Sequence, residues 1–120
     1  MCGVIGVISK QEQVISDVIL GLMSLQQRGQ DGCGVITFDK ETNSYRIKKG
    51  QGLVKHVFAN SDLSEFKGTI ALGHTRYSTA GSHTAENSHP YLVHATHKIA
   101  MAYNGNLTNY FDLIELLKKR

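Results

Sequence analysis

The sequence predicts an α+β domain built on antiparallel sheet, and three features carry that expectation. Short apolar runs rich in β-branched residues at 4–8, 35–38 and 69–73 have the length and residue types of buried strands. A polar turn at 39–44 leads into Tyr45-Arg46-Ile47-Lys48, which alternates as the second strand of a hairpin does. Apolar residues also recur at helical spacing, at Val14, Val18, Leu22 and Ile15, Ile19, Met23, and again at Tyr110, Leu113, Ile114 and Leu117.

Taken in order, the strand at 4–8 directly follows Cys2, which places that thiol on a rigid element. The first helix begins near Gln13 and closes at Arg28-Gly29. Gly29, Gly32 and Gly34 crowd around Gln30-Asp31, a density that signals positive φ or close approach of another segment. Residues 52–58 read as extended or mixed, and 61–66 as a short helix capped by Asn60 or Ser61. The strand at 69–73 delivers the polar string 74–81 at its end, and 82–90 is a loop holding the only proline. A strand at 99–103 runs straight into Asn104-Gly105-Asn106. Thr108 then caps the last helix, in which Glu115 and Lys119 pair one turn apart.

At 120 residues the chain makes one domain at most, and 41% hydrophobic with 19% charged residues is the composition of a folded globular protein. The net charge of +3 is scattered except at Lys118-Lys119-Arg120, the last turn of a helix, so no nucleic-acid footprint exists. No apolar run approaches the roughly 18 residues of a membrane span, and the N-terminus lacks signal-peptide character; the expected location is the cytoplasm. In that reducing compartment Cys2 and Cys33 are both expected as free thiols.

Cys2 carries the chemical expectation. Removal of Met1 would leave its thiol beside a free α-amine, with ordinary pKa values of about 8.5 and about 7.7 to 8, so one residue would hold both nucleophile and base. A cysteine taken at random is more often a small apolar core residue. Arg76, after a strand, offers a planar fork for a carboxylate or makes a surface salt bridge. Thr79 adds a hydroxyl to the same carboxylate or bonds its own backbone. Asn104-Gly105 is a strong hairpin signal, yet a helix follows it; in that setting the Asn104 carboxamide and the Gly105 N–H can converge as an oxyanion hole.

The strings Cys2-Gly3-Val4-Ile5-Gly6, Gln27-Arg28-Gly29-Gln30-Asp31-Gly32, 73–81 and Tyr103-Asn104-Gly105-Asn106-Leu107 closely resemble the class II glutamine amidotransferases, in order and along the whole chain. They are most similar to the branch that makes phosphoribosylamine, the first committed step of purine synthesis. Gln27 and Cys33 depart from that branch's usual histidine and alanine. The resemblance implies the N-terminal nucleophile hydrolase fold, stacked antiparallel sheets between helical layers, present only in part. It implies Cys2 as nucleophile on glutamine, Arg76 on the substrate carboxylate, and Asn104 with Gly105 as the oxyanion hole. It further implies that residues 1–120 are the N-terminal portion of the glutaminase domain. An acidic residue for the substrate α-amine and a phosphoribosyltransferase domain would lie beyond them, and the full-length protein would be a homo-oligomer. The glutaminase half reaction needs no cofactor; magnesium would belong to the phosphoribosyltransferase domain.

Two rival expectations stand beside this one. His83, His89, His94, His97 and the cysteines offer metal ligands, without any tight ligand-spacing motif. Alternatively the same fold holds glutamine or a partner without turning it over, since an incomplete pocket leaves contacts unmade.

Overall fold

β-branched residues at positions 4, 5, 7 and 8 have little χ1 freedom to lose in extended backbone, and Gly3–Ile8 forms the first strand, β1. The structure is a computed structural model that describes residues 1–10, 13–78 and 85–119. Helix α1 follows at Ile15–Leu25, continued by a 3₁₀ turn at Gln26–Arg28 that ends on Gly29. Strands β2 (Gly32–Asp39) and β3 (Ser44–Gln51) make a hairpin whose turn is organised by Asp39. That carboxylate accepts from Glu41 N–H at 3.0 Å and from Thr42 Oγ1 at 2.7 Å, and Asn43 takes positive φ, as asparagine tolerates.

A short helix, α2, spans Val54–Val57, and strand β4 spans Ile70–Arg76. The four strands form one antiparallel sheet in the order β1-β4-β2-β3, which makes β4 an interior strand paired on both edges. Strands β5 (Tyr91–His94) and β6 (Lys98–Met101) pair only with each other, and helix α3 is Tyr110–Lys118.

The period of two along each strand divides the sheet into faces. Ile5, Val7, Cys33, Val35 and Ala71 join the α1 stripe of Ile15, Val18, Ile19 and Leu22, with Val54, Phe58 and Phe66, in one core. Burying a side chain as completely as Leu22 or Val18 stabilises the fold by roughly 1.5–3 kcal/mol each. The opposite face carries Ile36, Leu72 and His74. The β5–β6 hairpin lies over part of it, Ala100 facing Ile36, Ile70 and Leu72 across a cleft of ≈ 260 Å³. Val4, Ile8 and Ile47 stay exposed, and α3 buries none of its residues.

Several local expectations are corrected. Residues 54–57 are helical, and the 3₁₀ turn Leu63–Glu65 is capped by Asp62, whose carboxylate accepts from Ser64 N–H at 2.9 Å, not by Asn60 or Ser61. β4 runs three residues further than its apolar run, because His74, Thr75 and Arg76 are buried there by neighbours rather than by their own hydrophobicity. β5 was not foreseen at all. Asn109, not Thr108, occupies the cap position of α3, without a side-chain bond. Glu115 and Lys119 form no ion pair, whereas Arg46 and Glu65 pair at 3.2 Å. Met23, placed on the buried stripe, is 45% exposed. Among the described residues no helix is long and apolar enough to cross a membrane.

Candidate functional site

Register fixes the first two parts of the site. β1 and β4 pair with Gly3 opposite Thr75, so Cys2 lies beside the Arg76-Tyr77 end of β4. Gly3 N–H donates to Thr75 Oγ1 at 3.1 Å in a buried contact. Tyr77 N–H points at the Cys2 sulfur, 3.4 Å away, and the thiol lies 3.8 Å from the Tyr77 carbonyl. The Cys2 carbonyl accepts twice, from Arg28 Nε at 3.2 Å and from Asn104 Nδ2 at 3.0 Å. The nucleophile candidate is therefore clamped through its backbone while its side chain faces a cleft.

Arg76 is the last residue of β4 rather than a loop residue, and is only 9% exposed. A guanidinium so placed brings several N–H donors to the cleft wall. The adjoining loop is tied to it: Asp31 N–H donates to the Arg76 carbonyl at 3.0 Å, and the Asp31 carboxylate accepts from Ser78 N–H at 2.7 Å. Thr79 lies outside the described residues, as does His83.

Asn104-Gly105 does not turn a hairpin; the next element is α3. The Asn104 carboxamide nitrogen carries two hydrogens, of which the Cys2 carbonyl takes one. Gly105 is required by close approach and not by its φ: a Cβ there would collide with the hydroxyl and ring of Tyr103.

Cys2, Arg76, Tyr77 and Gly105 line a cleft of ≈ 500 Å³ together with His89 and Tyr103, and Asn104 is not among its lining residues. That is the size of a small-molecule site. A slightly larger cleft, ≈ 560 Å³, lies by the β2–β3 turn among Asp39, Thr42, Arg46 and Glu65. It holds a mostly exposed ion pair and lacks the thiol that lines the Cys2 cleft.

Two wall histidines had no role in this cleft from sequence: His74 was given none, and His89 was read only as a possible metal ligand. His74, 2% exposed, makes no hydrogen bond of good geometry through either ring nitrogen, and burial, then His89, against an opposing contribution from the Tyr103 main chain, pushes its pKa down to about 4. Its ring lies 4.6 Å from that of His89, which in turn lies 4.5 Å from Tyr91. His89 is lowered too, by burial first and then by Lys49 and Arg76. The signal available was the placement of His74 in the string before Arg76. Cys33 is a different case: buried in the core, its thiol is pushed up to about 12 and is chemically inert. Among the described residues no group of three or more His, Cys, Asp or Glu comes together that could hold a metal ion.

Comparison with known proteins gives this geometry a context. The family described as glutamine amidotransferases class-II matches residues 1–118. The amidophosphoribosyltransferase of Haemophilus influenzae is 40% identical over 119 residues, covering 99% of this chain and 23% of the relative. The isomerizing glutamine–fructose-6-phosphate aminotransferase of Sulfolobus acidocaldarius is 42% identical over 120 residues, covering 98% of this chain and 20% of the relative. The solved structure of glutamine phosphoribosylpyrophosphate (PRPP) amidotransferase from B. subtilis, complexed with ADP and GMP, superposes with a TM-score of 0.82 at 38% identity, over 97% of this chain and 24% of that one. The chain thus spans about a fifth to a quarter of the length of these relatives.

Proposed function

We infer the chemistry from the family, for this chain belongs to the class II glutamine amidotransferases and has the α+β fold of the N-terminal nucleophile hydrolases. The reaction is hydrolysis of glutamine to glutamate and ammonia. With Met1 removed, the Cys2 α-amine takes the thiol proton and the sulfur attacks the side-chain amide carbon. Arg76, with Thr79, holds the substrate carboxylate. The oxyanion of the tetrahedral intermediate rests on the second hydrogen of Asn104 Nδ2 and on Gly105 N–H. Collapse breaks the C–N bond; ammonia leaves with the proton that the amine returns, and a γ-glutamyl thioester remains on Cys2. Water then attacks the thioester and releases glutamate and the thiol. The observation that supports this most is the Asn104–Cys2 contact at 3.0 Å, which joins an oxyanion donor to a nucleophile 102 positions away in sequence.

In the full-length protein the ammonia serves phosphoribosylamine synthesis, at the first committed step of purine synthesis. Support comes from the resemblance to the Haemophilus and B. subtilis enzymes. The comparable identity to the Sulfolobus aminotransferase favours amination of a sugar phosphate as the second reading. Ammonia release from glutamine tests the half reaction, with Cys2→Ala as the inactive control and a glutamine-like electrophile expected to add once, at Cys2. Glutamine bound without ammonia release would leave a binding module, and full activity in a chain that keeps Met1 would remove the amine as base. Coupling of ammonia to phosphoribosyl pyrophosphate or to fructose 6-phosphate then separates the two acceptors.

A further inference from the structure

The two halves of the proposed site stand on different sheets. Cys2 and Arg76 belong to the four-stranded sheet, whereas Asn104 and Gly105 follow β6, which pairs only with β5. Among the described residues no ladder of main-chain bonds joins the two sheets, so side chains hold one half against the other. Asn104 is one such link. His89 is the second. Its Nδ1 accepts from Tyr103 N–H at 3.0 Å, which places the ring proton of the neutral imidazole on Nε2.

His89 is itself held to the large sheet. Its carbonyl lies so close to Gly34 of β2 that a Cβ there would collide with it, and its flanking residues Ser88 and Pro90 are fully buried. The ring is fixed between His74 and Tyr91, with the Tyr103 ring stacked 6.5 Å away at 22°. We propose that His89 is a positioning residue for the glutaminase reaction: through Nδ1 it grips the Tyr103 main chain and so holds Asn104 and Gly105 in register with Cys2. This rests on the function proposed above.

Proton uptake by the imidazole would turn Nδ1 into a donor facing the Tyr103 N–H and break the grip. Among the described residues, the charged and titratable groups that face His89 are Lys49 on β3, His74 and Arg76 on β4, Tyr91 on β5, and Tyr103. Lys49 and Arg76 oppose a positive ring, so the grip holds at neutral pH and is lost only below the ordinary histidine range.

The test uses the full-length protein and two variants. His89→Phe keeps the stacked ring and removes the acceptor; His89→Asn puts a carbonyl oxygen near the place of Nδ1. His89→Phe is expected to lower kcat for ammonia release roughly tenfold, the rate equivalent of one lost hydrogen bond, with KM for glutamine nearly unchanged. His89→Asn is expected to restore most of kcat. With 15N-labelled tyrosine, the Tyr103 amide resonance should move with the His89 imidazole as pH falls, and should be displaced and insensitive to pH in His89→Phe. A wild-type kcat in His89→Phe, or a Tyr103 amide that ignores the imidazole, overturns the proposal. A wild-type enzyme that releases no ammonia while its Tyr103 amide still follows His89 overturns the glutaminase reading instead.

Discussion

Acid should weaken this fold through His74 before it protonates most carboxylates. The imidazole is 2% exposed with no hydrogen bond of good geometry at either nitrogen, and its pKa falls from 6.5 to about 4, chiefly through burial. A histidine depressed in the folded state is neutral there while the unfolded chain still takes up a proton. Its contribution is therefore complete above about pH 6.5 and is lost as pH falls toward 4. A shift from 6.5 to about 4 corresponds to about 3 kcal/mol over the whole window, of which about 2 kcal/mol lies between pH 7 and pH 5. Against a total domain stability of about 5–15 kcal/mol this is a large fraction. Urea unfolding of the wild type and of His74→Phe at the two pH values measures it. The variant keeps an aromatic ring against His89 and titrates nothing, so its loss of stability on acidification should be smaller by about 2 kcal/mol. Equal losses in the two proteins would refute the argument and show that water or a polar group reaches the His74 nitrogens.

Other expectations follow from the same cleft. Arg76→Lys should raise KM for glutamine roughly tenfold with a smaller change in kcat, since a point charge replaces a bidentate fork; steady-state kinetics separate the two. Asn104→Ala should lower kcat roughly a hundredfold or more, and an effect confined to KM would exclude it as an oxyanion donor. Gly105→Ala should also depress turnover, because the added methyl displaces the Tyr103 ring. Alkylation of the native protein followed by peptide mass analysis should label Cys2 and spare Cys33, whose thiol is pushed up to about 12 by burial.

Legibility in the sequence followed the local character of each signal. β1, α1 and the β2–β3 hairpin were readable because their own residues carry the period and the turn chemistry. The end of β4 was not, because His74-Thr75-Arg76 look like loop residues until β1 and β2 close on both edges. β5 escaped for a related reason: Tyr91-Leu92-Val93-His94 is only four residues long, and His94 with His97 drew the reading toward ligands. Asn104 and Gly105 were correctly separated from a hairpin by the helix after them. The close approach of the Tyr103 ring to Gly105 was not legible, since a ring two residues away cannot be seen in a string of letters. His89 was read only as a possible metal ligand because its partner is a main-chain N–H, which every residue but proline possesses.

The division of the cleft between two sheets also sets an order of failure. β4 is bonded along both edges and backed by α1, so its amides should exchange with solvent only when the whole sheet opens. The stretch after β6 rests on a two-stranded ladder and leads into a helix with no buried residue, so its opening exposes little apolar surface. Such segments sit near the bottom of a protein's ladder of local opening energies. Mild heating should therefore silence the thiol's chemistry in a molecule that still looks folded by circular dichroism. Whatever restrains α3 in the cell would then act as a regulator of catalysis rather than of folding.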